Sequence, residues 1–142
     1  MMPVESALQF IGYDVNQFQF KRTGVSIENN EFQITPQFKK NITEVGVNVY
    51  DVSLELLITG SEEQPLPFEL YVNMTGHFNL ICEESMPDPL RYQLVNKNTI
   101  AILFPFLRST VASITLASNI SPVVLPIINL SDAFDDKDTN SD

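Results

Sequence analysis

One cysteine, one histidine and five glycines in 142 residues leave little material for catalysis or metal binding. A lone Cys82 excludes an intramolecular disulfide and a cysteine-rich zinc site, and its scarcity fits a reducing compartment. Its neighbours Ile81 and Glu83 offer no base to activate it, so it reads as an inert, partly buried thiol. His77 has no second histidine or nearby cysteine with which to share a metal, and no serine–acid–histidine spacing surrounds it. It is expected to face solvent or a partner from the outward side of a strand. The adjacent acids Glu62–Glu63 and Glu83–Glu84 point apart and read as solvated charges, not as an acid–base pair. No GxGxxG, Walker-type GxxxxGK or HExxH occurs. No catalytic residue, metal or cofactor is therefore expected.

Basic residues are scarce too. Eight Lys and Arg stand against 18 Asp and Glu, for a net charge of −10. The bases cluster no further than Lys21–Arg22 and Lys39–Lys40, which argues against nucleic acid, because phosphate binding needs concentrated positive charge. Such an acidic surface favours basic partners or simple solubility. Residues 1–6 show no basic stretch leading into an apolar run, so no signal peptide is expected. The longest apolar stretch, Ile100 to Leu107, is too short to span a bilayer. These features together imply a cytoplasmic protein without membrane insertion.

What is abundant is apolar and aromatic: 44% of residues are hydrophobic and ten are Phe. The length suits one domain. Residues 1–134 are expected to form it, with 135–142 an acidic disordered tail. Five Asp against one Lys within Ser131 to Asp142 suggest a solubilising or basic-partner role for that end.

The first two-thirds reads as β-structure. In Leu66 to Ile81 the apolar residues Phe68, Leu70, Val72, Met74, Phe78 and Leu80 alternate with mostly polar neighbours, the period of a strand with one buried face. Gly76 within it marks a bulge or a close backbone approach. Tyr50 to Thr59 alternates likewise, and residues 60–65 form a polar connection between the two. A third strand is predicted over Phe32 to Ile42. Ala7 to Lys21 changes phase twice, which predicts one long strand with bulges near Gly12 and before Phe18. Residues 23–30 are a polar crossover.

After Pro87 the pattern becomes helical. Pro89 to Val95 predicts a short helix capped by Asp88. Leu103, Leu107, Val111 and Ile114 recur at helical spacing and predict a longer one, with Pro105 either near its start or at a kink. Around Pro105 that helix is apolar on nearly every side, so one sheet face cannot cover it and a second subunit is expected to. Ser121 to Asn129, with prolines among aliphatics, reads as an extended apolar segment lying on a surface. The resulting fold class is α+β: a four-stranded antiparallel sheet followed by a short and a long helix.

This order resembles that of the SecB-like protein-export chaperones. Ile102-Leu103-Phe104-Pro105-Phe106-Leu107-Arg108 is similar to the motif that opens the family's main helix. Residues 120–130 resemble its later proline-containing segment, and Tyr50-Asp51-Val52 and Gly76-His77-Phe78 sit where the family has comparable strand features. The resemblance spans roughly Leu8 to Phe134. It implies a homotetramer, a dimer of dimers, that holds unfolded preproteins or other client polypeptides in hydrophobic grooves. By position it nominates Val25, Ile27 and Phe32 from the crossover, Phe104, Phe106 and Leu107 from the helix, and Val123, Val124 and Leu125 from the C-terminal segment.

The family also docks the translocase motor SecA through acidic residues on its exposed sheet face. The matching positions here fall near Gln19 and Tyr71, which are not acidic, and a short tail replaces the family's long final helix. Delivery to SecA is thus less well supported than holding clients. The leading expectation is a holdase chaperone. The alternative is a dedicated adaptor or scaffold of the same fold, such as a toxin–antitoxin chaperone. A small enzyme or a carrier of apolar molecules rests on aromatic content alone.

Overall fold

A computed structural model describes residues 7–26, 32–83, 85–120, 123 and 125. Four strands, β1 (Ala7–Arg22), β2 (Gln37–Gly46), β3 (Val49–Ile58) and β4 (Phe68–Ile81), form one antiparallel sheet in the order β1-β4-β3-β2, and a single helix, α1 (Asp88–Ala117), follows. The predicted tail at 135–142, Ile27 and Val124 lie outside the described residues.

The two central strands follow their sequence period. Val52, Leu54, Leu56 and Ile58 of β3, and Phe68, Leu70, Val72, Met74 and Phe78 of β4, point to one face and are buried there under α1. Phe68 and Phe78 have no exposed surface, and such burial contributes roughly 1.5–3 kcal/mol each. Gly76 belongs to this inner face, where a Cβ would stand 2.8 Å from the Phe78 ring and 3.0 Å from Leu103 Cδ1. Its role is therefore close approach of helix to sheet.

Edge strand β1 carries both expected bulges, between Phe10 and Gly12 and between Val15 and Gln17. Each inserts one residue, so the inward phase passes from Leu8 and Phe10 to Tyr13 and Val15, then to Phe18 and Phe20. The other edge, β2, begins at Gln37 rather than at the expected Phe32. Pro36 lacks the N–H that a ladder uses, and Phe32 and Ile34 pack on the core from a segment without strand pairing. Between β2 and β3 the chain turns through Asn48 at φ 58°, a left-handed value that asparagine tolerates.

The expected short and long helices are one helix of 30 residues. The helix runs on through Asn96-Lys97-Asn98. Lys97 and Asn98 face solvent, while Asn96 accepts a hydrogen bond from the buried Lys40 ammonium of β2 at 2.8 Å. Pro105 also stays inside the helix. Both it and Ala101, whose carbonyl loses a backbone partner, lie on the exposed side of the helix. Asp88 is the first helical residue and Pro87 the cap, without a side-chain capping bond. At the other end Asn119 takes φ 63°, with Asn119 N–H on Leu116 O and Ile120 N–H on Thr115 O, a Schellman stop. The chain then turns back so that Val123 and Leu125 enter the core, Val123 N–H donating to Thr115 Oγ1 at 2.9 Å.

By length and composition α1 is apolar enough to cross a membrane. Its apolar residues Ile100, Leu103, Phe104, Leu107 and Val111 are buried against the sheet, which covers one side of the helix and leaves the other open.

Candidate functional site

The nominated apolar residues fall into two places and two degrees of access. Leu107 and Leu125 are fully buried, and Phe104 and Val123 are each 6% exposed, so these four are interior residues in this conformation. Phe104 packs on Phe38, ring centroids 5.8 Å apart. Phe32 is half-buried edge-on against Phe68, which also stacks on Phe20, and Val25 lies exposed on the crossover. Phe106 is half-buried at the other place, 5.3 Å from the Phe10 ring and 4.8 Å from Tyr13.

Around Phe106 the structure adds residues that were not nominated. On the helix side of β1, Tyr13, Val15 and Phe18 remain substantially exposed, Phe18 at 58%. They extend the Phe10–Phe106 cluster into an apolar rim along the strand. The outward face of α1 is equally poor in charge: Ala101, Pro105, Ser109, Ser113 and Leu116 are exposed, and Arg108 is the one charged residue between Asn98 and Ala117. The sheet thus covers only one side of this helix, as expected.

The opposite face of the sheet is polar. His77 does not stand free there. Its Nδ1 lies 2.8 Å from Asp51 Oδ1 on β3, and its Nε2 lies 2.8 Å from Asp14 Oδ2 on β1. The hydrogen bond to Asp14, then that to Asp51, raises the imidazole above its ordinary value. Asn16, the residue bulged out of β1, donates to Thr75 Oγ1 and Asn73 Oδ1. The Tyr71 hydroxyl donates to Glu55 Oε1 at 2.5 Å, and that bond first, then burial, raises its own titration. Next to this pair a shallow concavity of about 370 Å³ opens over Leu57, bordered by Gln37, Lys39, Glu55 and Tyr71. Gln19 and Tyr71 pair across β1 and β4 on this face. Among the described residues no three metal-ligating groups converge on one point.

The sequence profile of the family described as preprotein translocase subunit SecB matches residues 17–141. An uncharacterised protein of Methanocaldococcus jannaschii is 31% identical over 135 residues, covering 91% of this chain and 83% of its own. The protein-export protein SecB of Rickettsia felis is 29% identical over 106 residues, 74% of this chain and 68% of its own. Among solved structures, a Mycobacterium tuberculosis SecB-like chaperone in complex with a ChAD peptide from the HigA1 antitoxin superposes with a TM-score of 0.69 at 13% identity. The match covers 86% of this chain and 91% of that one, a likeness of fold.

Proposed function

Because this chain belongs to the SecB family, we propose that it is a non-catalytic, cytoplasmic chaperone that holds unfolded polypeptides on apolar surface left open by its fold. The observation that carries this reading is the apolar rim of Tyr13, Val15 and Phe18 beside Phe106, on a subunit whose central strands are already fully packed. Apolar burial is non-directional, so such a surface suits clients of unrelated sequence. A second accessible apolar site, Phe32 and Val25 at the crossover, lies where a client groove is expected. The outward face of α1, almost without charge, supports self-association, and a homotetramer built as a dimer of dimers would cover it.

Two destinations for the held client differ in what they require. Delivery to SecA needs acidic side chains free to pair across the exposed sheet face. Here Asp14 and Asp51 are engaged by His77 and Glu55 by Tyr71. Together with Gln19 and Tyr71, which are not acidic, at the positions the resemblance matches to SecA contacts, this supports the second reading, a dedicated partner such as an antitoxin on the same scaffold. Diluting an unrelated protein from denaturant, with the chaperone near one oligomer per client, separates general holding from a dedicated adaptor. General holding delays aggregation; a dedicated adaptor leaves it unchanged while remaining a folded oligomer.

A further inference from the structure

Two carboxylates, each 2.8 Å from a different nitrogen of one imidazole, can both accept a hydrogen bond only when that ring carries two protons. A neutral ring has one N–H, so one of the two oxygens would face a lone pair. The three residues sit on adjacent strands: Asp14 on edge strand β1, His77 on β4 and Asp51 on β3. Asp14 also lies between the two bulges of β1, in the stretch Gly12–Val15, which pairs with Met74–His77 and is bounded by a register shift at each end. On the opposite face that stretch holds Tyr13 over the Phe106 ring.

We propose that the Asp14–His77–Asp51 bridge is a proton-operated latch that fastens the inter-bulge stretch of β1 to the rest of the sheet. Among the described residues, the groups facing His77 from each neighbouring element leave this bridge as the local charge balance. β1 presents Asp14 and Asn16, β3 presents Asp51 and Ser53, and β4 itself presents Thr75 and Asn79. Beyond β3, β2 sets Thr43 opposite Asp51, and α1 packs on the other face. Farther along this face, Glu55 is held by Tyr71, and Lys39 lies across from it on β2.

The sign follows from the direction of the shift. His77 is raised above 6.5 by its two carboxylate partners, so the latch is closed below that value and opens as pH rises through the higher folded value. On opening, the ring keeps one hydrogen bond, and two aspartates lose their shared cation. The inter-bulge stretch then loosens, and the Tyr13–Phe106 contact on its other face becomes accessible. This coupling does not depend on whether the chain holds clients.

NMR on the full chain tests it: the ring resonances of His77 give its titration midpoint, and hydrogen exchange follows the Gly12–Val15 amides. Amides of central strand β3 serve as the reference that cancels the intrinsic pH dependence of exchange. The expected result is a midpoint above 6.5, with the relative protection of Gly12–Val15 falling severalfold across it. Asp14→Asn, or Asp51→Asn should the first variant fail to fold, lowers the midpoint and abolishes the change in protection. A midpoint at or below 6.5, relative protection that is flat across the titration, or an unmoved midpoint in the folded variant would overturn the proposal.

Discussion

The buried Lys40 ammonium of edge strand β2 donates to Asn96 Oδ1 of α1 across 2.8 Å, tying two segments 56 residues apart. Replacing Asn96 by Leu keeps the helix but removes a polar partner from a buried charge. The expected cost is about 1.5–3 kcal/mol, read as a lower urea midpoint at unchanged slope.

Gly76 sets the distance between sheet and helix. A Cβ there meets the Phe78 ring at 2.8 Å and Leu103 at 3.0 Å, and neither neighbour has free space to retreat into, both being fully buried. Gly76→Val is expected to destabilise by about 1–3 kcal/mol through overpacking. A thermal melt equal to wild type would show that α1 does not press on β4 as closely as the structure has it.

Phe106 is half-buried, so its replacement leaves the interior of the subunit in place while changing the rim it shares with Phe10 and Tyr13. Phe106→Asp is expected to lower the native mass or to weaken client binding at least about tenfold, some 1.4 kcal/mol, with the circular dichroism spectrum retained. Unchanged mass together with unchanged affinity would remove Phe106 from the site.

Tyr71 gives a pH dependence on the alkaline side. Its bond to Glu55 raises the hydroxyl above 10.0, so the stability it contributes is full below that value and is lost as pH rises through the raised one. Tyr71→Phe is expected to flatten the loss of stability above pH 10, measured by urea denaturation across that range. An identical pH profile in the variant would contradict this.

The sequence was most legible where local pattern and tertiary environment agree. The alternation in β3 and β4 holds because both strands have one buried face, and the two phase changes in Ala7 to Lys21 are the two bulges of β1. It misled where a distant residue decides. The two expected helices are one because the helix continues through Asn96, which Lys40 of β2 reaches, and Pro105 keeps its place on the exposed side of it. Phe32 and Ile34 share the phase of Phe38, but Pro36 ends the ladder before it reaches them. For His77 the strand position was readable, whereas its partners lie 63 and 26 residues away and meet it only through strand register. The family resemblance nominated Leu107 and Leu125 alongside Phe106 by position, and only packing separates two fully buried residues from one at the rim.

The most direct test of the central claim is calorimetric titration of the full chain with one protein in two forms, permanently unfolded by reduction and alkylation, and native. The account predicts saturable binding of the unfolded form, near one chain per oligomer, and no binding of the native form. Absence of binding to the unfolded form by a properly folded oligomer, or equal binding of both forms, would contradict it.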